Sequence, residues 1–367
     1  MQTAFTNATI YTGHSREQGK AILVGDGLIE GLVEENAIDE GYTIRDLGGL
    51  NIAPALVDLQ IYGGNGKMFS SELSLEALSS VYKYCLEGGC AHFMITMATN
   101  TIEKFLKGME VVKEYWKQGG KGVLGLHMEG PYLNPEKKGA HILSCLRKPT
   151  LEEVRILLEK GKDVLRMMTI APEVCDEKII ELLLEHQIMV SAGHSNASYS
   201  QCMKAFEAGI PLATHLFNAM SAFQSRAPGM VGAIYDDKKV RASIVADGVH
   251  VDYAAIRISK AIMGKRLFLI TDAVTEVLEG EYQHLFKGDR YTLPDGTLSG
   301  SSLTMMKAVR NCVNNVGIDL AESLRMASTY PAHLLKHGPR LGKIEKGYAA
   351  DFMLFDDLLN IKEMILA

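Results

Sequence analysis

The sequence predicts an α/β protein: a (β/α)8 TIM-type barrel with a small discontinuous β-sandwich domain formed by both termini. Three observations carry this. Apolar strand-like runs alternate with amphipathic stretches from about residue 50 to 275. The runs are almost continuously apolar, as parallel strands buried on both faces require. The two ends of the chain read differently, as short strands broken by turns.

In chain order, the strand-like runs are 51–61 (NIAPALVDLQI), 91–98 (AHFMITMA), 122–128 (GVLGLHM), 164–170 (VLRMMTI), 188–192 (IMVSA), 211–215 (PLATH), 240–246 (VRASIVA) and 267–271 (LFLIT). Between them, helical patterns cover 75–87, 102–117, 151–159, 176–186, 197–208 and 252–263. Several run into glycine, a common helix stop, as at Gly88-Gly89, Gly119-Gly120, Gly209 and Gly264. Eight such units favour a barrel over a doubly wound open sheet, and no GxGxxG follows a strand to support the latter. At the N-terminal end, 21–24 and 28–33 flank Gly25-Asp26-Gly27, a hairpin signal. At the other end, 341–356 holds two short apolar runs around Gly347. The expected division is therefore a β-domain from 1–50 and 341–367, and a barrel from 51–340.

Composition narrows the function classes. The 367 residues are 47% hydrophobic and 22% charged, ordinary for a soluble globular protein. A net charge of −6, from 38 basic and 44 acidic residues, disfavours nucleic acid and anionic membrane as partners. No apolar run approaches the ~20 residues of a membrane span, and residues 1–10 lack a signal-peptide pattern, so a cytoplasmic protein is expected. The six cysteines form no CxxC pair and read as reduced core thiols.

The strand ends point to chemistry. Polar residues at the C-terminal ends of barrel strands are where catalytic groups sit. Here the third strand ends in His127-Met128-Glu129, the fifth in Gly193-His194, the sixth in Thr214-His215, the seventh in Asp247-Gly248-Val249-His250 and the eighth in Thr271-Asp272. Glu129, His194 and His215 form a two-histidine, one-carboxylate set that suits catalytic Zn²⁺ and can also hold Fe²⁺. A metal there would acidify a bound water and polarise a carbonyl. Asp272 is placed to take the water's proton and return it to a leaving nitrogen, and His250 to hydrogen-bond the developing oxyanion. Arg226, in SRAPG, is a candidate for bidentate bonds to phosphate.

The constellation resembles the amidohydrolase superfamily. HMEGPYLN (127–134), KGAH (138–141), APE (171–173), GHS (193–195), THLFNAM (214–220), ADGVH (246–250), TDA (271–273) and GTLSGSSLTM (296–305) are similar, more narrowly, to the N-acetylglucosamine-6-phosphate deacetylase family. That resemblance spans essentially the whole chain. It implies hydrolysis of N-acetyl-D-glucosamine 6-phosphate to glucosamine 6-phosphate and acetate. It implies metal ligands Glu129, His194 and His215, with Asp272 as general base and acid. It implies substrate contacts from Ala140, His141, Asn218, Ala219, His250 and the loop Leu298, Ser299, Gly300. It also implies a homodimer in which Arg226 reaches the neighbouring subunit's site.

The departures from the superfamily pattern matter. Many members carry HxH at the end of the first strand for a second metal, where this chain has Asp58-Leu59-Gln60-Ile61-Tyr62. The fourth strand end, MMTIAPE (167–173), offers no lysine to bridge two metals. One divalent ion per chain is expected, zinc first, with iron, cobalt and manganese as alternatives. Gln60 is left to orient a water or line the site, and His127 reads as barrel packing or a support to Glu129. Hydrolysis of a different amide and a catalytically silent sugar-phosphate sensor remain the rival readings.

Overall fold

The computed structural model describes residues 2–335 and 340–367; Met1 and residues 336–339, the latter within the stretch assigned to the barrel, lie outside the described residues. Eight strands form one sheet in sequence order: β1 (Leu56–Ile61), β2 (Cys90–Ala98), β3 (Val123–Glu129), β4 (Leu165–Ile170), β5 (Met189–Ala192), β6 (Leu212–Ala213), β7 (Arg241–Val245) and β8 (Leu267–Ile270). From β2 to β8 every neighbouring pair is parallel. The sheet closes at its C-terminal rim, where Ile61 bridges Ala273 in parallel. There the Asp272 amide donates to Gln60 O (3.0 Å) and the Tyr62 amide to Ala273 O (3.0 Å). The barrel expected from the sequence is the fold.

Seven helices follow the first seven strands: α1 (Leu75–Glu87), α2 (Ile102–Lys117), α3 (Leu151–Lys160), α4 (Glu177–Glu185), α5 (Tyr199–Glu207), α6 (Gly229–Asp236) and α7 (Tyr253–Met263). The starts of α2, α3, α5 and α7 are fixed by side-chain caps that satisfy orphan amides, whereas α4 and α6 have none. Thr101 accepts from the Lys104 amide, and Thr150 from that of Glu153. Ser198 and Gln201 form a reciprocal capping box, which sets α5 two residues later than its apolar periodicity suggests.

The run 51–61 is two strands rather than one. Asn51–Pro54 pairs with Phe352–Phe355 and with Thr9–Tyr11, after which β1 joins the barrel. Two small sheets accompany it. One orders Leu28–Glu34, Lys20–Gly25, Thr3–Thr6 and Thr43–Asp46; the other orders Ile361–Ile365, Phe352–Phe355, Asn51–Pro54, Thr9–Tyr11 and Arg16–Glu17. Between them lies an apolar core including Phe5, Ile10, Ile22, Ile52, Phe352 and Leu354. Phe5 meets Phe352 edge to face at 5.8 Å. Two expectations need correction. The run 341–346 forms no strand, because the partner of Phe352–Phe355 is Ile361–Ile365, beyond the segment singled out. Leu298–Gly300 is not a loop but lies in a strand, described below.

The chain resolves into two compact units: Met1–Asp58 with Cys85–His92 and Thr304–Ala367, and Leu59–Tyr84 with Phe93–Leu303. In the first, His92 Nε2 lies 2.8 Å from Asp351 Oδ2. In the second, beneath the C-terminal mouth, a chain of polar side chains runs through the barrel interior. His127 places Nδ1 3.2 Å from Leu59 O and Nε2 2.8 Å from Thr169 Oγ1. Thr169 Oγ1 continues to Thr214 Oγ1 (2.8 Å) and on to Ser191 Oγ (2.6 Å). With both ring nitrogens engaged, His127 supports the layer under the site rather than facing it. Among the described residues, no cysteine forms a disulfide. Among the described residues, no helix is long and apolar enough to cross a membrane.

Candidate active site

A cavity of about 220 Å³ opens at the C-terminal mouth of the barrel. Its lining includes Glu129, His194, His215, His250 and Asp272, delivered by five different strand ends. Three of these carry a left-handed backbone: His194 (φ 47°), His215 (φ 36°) and Asp272 (φ 54°). For a residue with a Cβ this conformation costs roughly 1–2 kcal/mol, and it accumulates where function demands an unusual side-chain direction. Glycines make room beside them. At Gly130 (φ 87°) a Cβ would meet Thr99 Oγ1 at 2.1 Å, and at Gly193 it would meet Thr169 Cγ2 at 2.8 Å.

The donor atoms converge. Glu129 Oε1 lies 3.4 Å from His194 Nε2 and 3.1 Å from His215 Nε2, and the two nitrogens are 3.0 Å apart. A metal with bonds of ~2.0–2.1 Å has tetrahedral ligand edges of ~3.3 Å, so this triangle fits one ion. Tautomers agree. His194 Nδ1 sits 2.8 Å from Lys137 O; a carbonyl only accepts, so the proton is on Nδ1 and Nε2 presents a lone pair. His141 could complete a set with Glu129 and His194, but its bonding is opposite. Its Nδ1 accepts from the Thr99 amide (3.2 Å), which leaves the proton on Nε2, 3.1 Å from Glu129 Oε2. His141 therefore donates to the carboxylate, where a substrate contact was expected from resemblance, although it also lines the cavity.

Burial disfavours charge on Glu129, yet the interactions with His194, His141 and His215 gathered around it hold its carboxyl well below the usual range. Asp272 goes the other way: burial raises it, and the Glu129 charge adds to that against His215 and His250. Burial with the neighbouring His141 lowers His194 to about 4. His215 is raised because Glu129 outweighs its burial.

Gln60 and Tyr62, at the end of β1, tie the carboxylates together. Gln60 Nε2 donates to Asp272 Oδ1 (2.8 Å) and Glu129 Oε1 (3.0 Å). The Tyr62 hydroxyl donates to Glu129 Oε2. Where a second metal would need ligands, this chain has hydrogen-bond donors. Tyr62 was not singled out from the sequence, and neither was Asp247, although the i, i+3 spacing of ADGVH was its signal. Asp247 Oδ2 lies 2.6 Å from His250 Nδ1, and its Oδ1 accepts from the Val249 and His250 amides. Against burial, the bond and charge of His250 lower the Asp247 carboxyl. Nδ1 of His250 therefore carries a proton, and Nε2 faces Asp272 Oδ2 at 3.8 Å. Replacing Asp247 by Asn should lower kcat about 10–100-fold, the usual cost of losing an orienting carboxylate, with KM and bound metal little changed. Steady-state kinetics with metal quantification checks this.

The remaining expected residues divide. Ala140, Asn218, Ala219, Leu298, Ser299 and Gly300 line the cavity, and Asn218 Nδ2 is buried there with no bonding partner among the described residues. Arg226 sits on an exposed segment and is not among the cavity's lining residues. After β8 the chain forms a small antiparallel sheet of β9 (Leu285–Phe286), β10 (Arg290–Thr292) and β11 (Leu298–Ser301). Ser301 bridges Ala273 beyond the barrel rim, which brings Leu298–Gly300 to the mouth as strand rather than loop.

A closed barrel with histidines and carboxylates at the ends of several strands defines a metal-assisted hydrolase, and the chain belongs to the Amidohydrolase family, which matches residues 51–366. Residues 3–52 match the NagA composite domain. The chain is 37% identical to the N-acetylglucosamine-6-phosphate deacetylase of Haemophilus influenzae, covering 97% of this chain and 95% of that one. It is 33% identical to the N-acetylgalactosamine-6-phosphate deacetylase of Shewanella sp., covering 95% and 91%. Among solved structures, N-acetylglucosamine-6-phosphate deacetylase from Pasteurella multocida superposes with a TM-score of 0.95 at 34% identity, covering 100% of this chain and 98% of that one. A Mycobacterium smegmatis deacetylase mutant in complex with N-acetyl-D-glucosamine 6-phosphate gives 0.91 at 26%, with the same coverage.

Proposed function

We propose that the protein hydrolyses the acetamide of N-acetyl-D-glucosamine 6-phosphate to glucosamine 6-phosphate and acetate, with Glu129, His194 and His215 holding one divalent metal ion. The observation that carries this is the single cavity in which these three donors meet Asp272 and His250. The metal supplies Lewis acidity, acidifying a water and polarising a carbonyl. The remaining work falls to the chain's own groups. Gln60 occupies Asp272 Oδ1, which leaves Oδ2 to take a proton from the attacking water and pass it to the amide nitrogen as the C–N bond breaks. Asp247 holds His250 through Nδ1, which orients the ring so that Nε2 can hydrogen-bond the carbonyl oxygen as charge develops there. Each half of the reaction uses an existing group, so no covalent enzyme intermediate is required.

The reading includes zinc as the ion, a cytoplasmic setting that suits six cysteines outside any disulfide, and a homodimer in which the exposed Arg226 binds phosphate in the neighbouring subunit's cavity. The test is acetate release from phosphorylated and unphosphorylated N-acetylhexosamines, with bound metal quantified in the same sample. Turnover that ignores the phosphate would overturn the substrate assignment. The Shewanella relative's name makes the galactosamine epimer the alternative substrate, so both epimers belong in the assay.

A further inference from the structure

We propose that His284 is a specificity residue that hydrogen-bonds one ring hydroxyl of the bound amino sugar; this rests on the deacetylase reading above.

His284 lines the same cavity but belongs to none of the bonds that join Glu129, His194, His215, Asp272 and His250. It is 3% exposed. Its position is fixed three times over. The His284 and Val277 backbones exchange hydrogen bonds of 2.8 and 3.0 Å. Its ring lies parallel to that of Tyr282, with centroids 6.3 Å apart and planes 5° apart. Tyr282 is itself anchored, its hydroxyl donating to Thr99 O at 2.6 Å. Finally, Nδ1 lies 2.9 Å from Ser299 Oγ on β11.

The remaining ring nitrogen, Nε2, is buried and has no bonding partner among the described residues. A buried polar atom left unpaired is costly, and an orientation this fully determined keeps it from swinging away to find solvent. A ligand group in the cavity is the partner the arrangement lacks. The chemistry of that group follows from the ring. Burial lowers His284 to about 4, so at neutral pH the imidazole is uncharged and suits a neutral hydroxyl better than a phosphate. Ser299, which can donate to Nδ1 or accept from it, decides whether Nε2 donates or accepts. The substrate has three free hydroxyls, at C1, C3 and C4, since C2 carries the acetamide and C6 the phosphate.

The experiment is a cycle between protein and substrate. Wild type and His284→Phe, which keeps an aromatic ring on Tyr282 and removes the nitrogens, are assayed with N-acetylglucosamine 6-phosphate and its 1-, 3- and 4-deoxy analogues. A site built to bond a hydroxyl discriminates against the analogue lacking it. The expected result is a 10–100-fold loss in kcat/KM for His284→Phe on the full substrate, about the cost of one unpaired buried group. The loss appears mainly in KM, with metal content unchanged. For one deoxy analogue the two proteins should then perform equally. His284→Gln, which restores a neutral hydrogen-bonding group, should recover part of the loss. Unchanged kcat/KM in His284→Phe, or the same loss on all three analogues, would overturn the assignment while leaving the deacetylase reading intact. Absence of wild-type turnover on any phosphorylated N-acetylhexosamine would overturn both. If His284→Phe does not fold, His284→Ala carries the same cycle.

Discussion

Replacing Asp272 by asparagine is expected to lower kcat for deacetylation by about 10²–10⁴-fold, the usual contribution of a positioned acid–base group, while the metal stays bound. The asparagine carbonyl can still accept from Gln60 Nε2, which holds Asp272 Oδ1 at 2.8 Å. Asparagine also tolerates the left-handed backbone at this position (φ 54°). Fold and metal triangle are thereby preserved and only the basic oxygen is lost. The pH profile gives an independent readout. Burial raises the Asp272 carboxyl above its ordinary value, and the working form is the carboxylate. Activity should therefore carry an acid limb where this carboxylate takes up its proton. That limb should vanish from the residual activity of Asp272→Asn. Near-wild-type turnover with metal in place would remove Asp272 from the mechanism.

The second large effect concerns the metal. Glu129→Gln should reduce bound metal from about one ion per chain to well below one, and lower deacetylation by more than the ~10–100-fold typical of groups outside the ligand set. The change removes the negative charge shared by His194 and His215 at 3.4 and 3.1 Å. A pH dependence accompanies it. In the metal-free protein His215 holds its proton more firmly than usual, because Glu129 outweighs burial. A metal must displace that proton, so its affinity falls as pH drops. Elemental analysis across pH checks both statements. Two tightly bound ions per chain would refute the single-site reading, which the Gln60 and Tyr62 bonds to Glu129 support.

Much of this architecture is legible in the sequence, for identifiable reasons. Helices α1 and α2 have the bounds that the amphipathic pattern predicts, 75–87 and 102–117, because stripe, cap and glycine stop agree there. The barrel strands emerge because burial on both faces makes them apolar throughout. One short piece was not legible. β9 has two residues, and pairing across the fold defines it rather than any local preference. The site divides in the same way. Glu129, His194, His215 and Asp272 stand out as polar groups terminating apolar runs. Tyr62 reaches Glu129 across 67 positions, and His284 reaches Ser299 across 15. Their roles come from those encounters, and an isolated tyrosine or histidine in sequence carries no trace of them.

The left-handed backbones at His194, His215 and Asp272 bear on how such a chain can change length. Side chains alternate sides along a strand, so one added residue flips all that follow. A strand that ran on smoothly into its loop could absorb an insertion by sliding. Here each strand ends in an abrupt reversal at the functional residue itself, and the reversal aims the side chain. Insertions are therefore tolerable beyond these residues, in the segments that lead to the helices, and intolerable in the one or two positions before them. The dimensions of the site are thus set at these rim positions rather than by the loops beyond them.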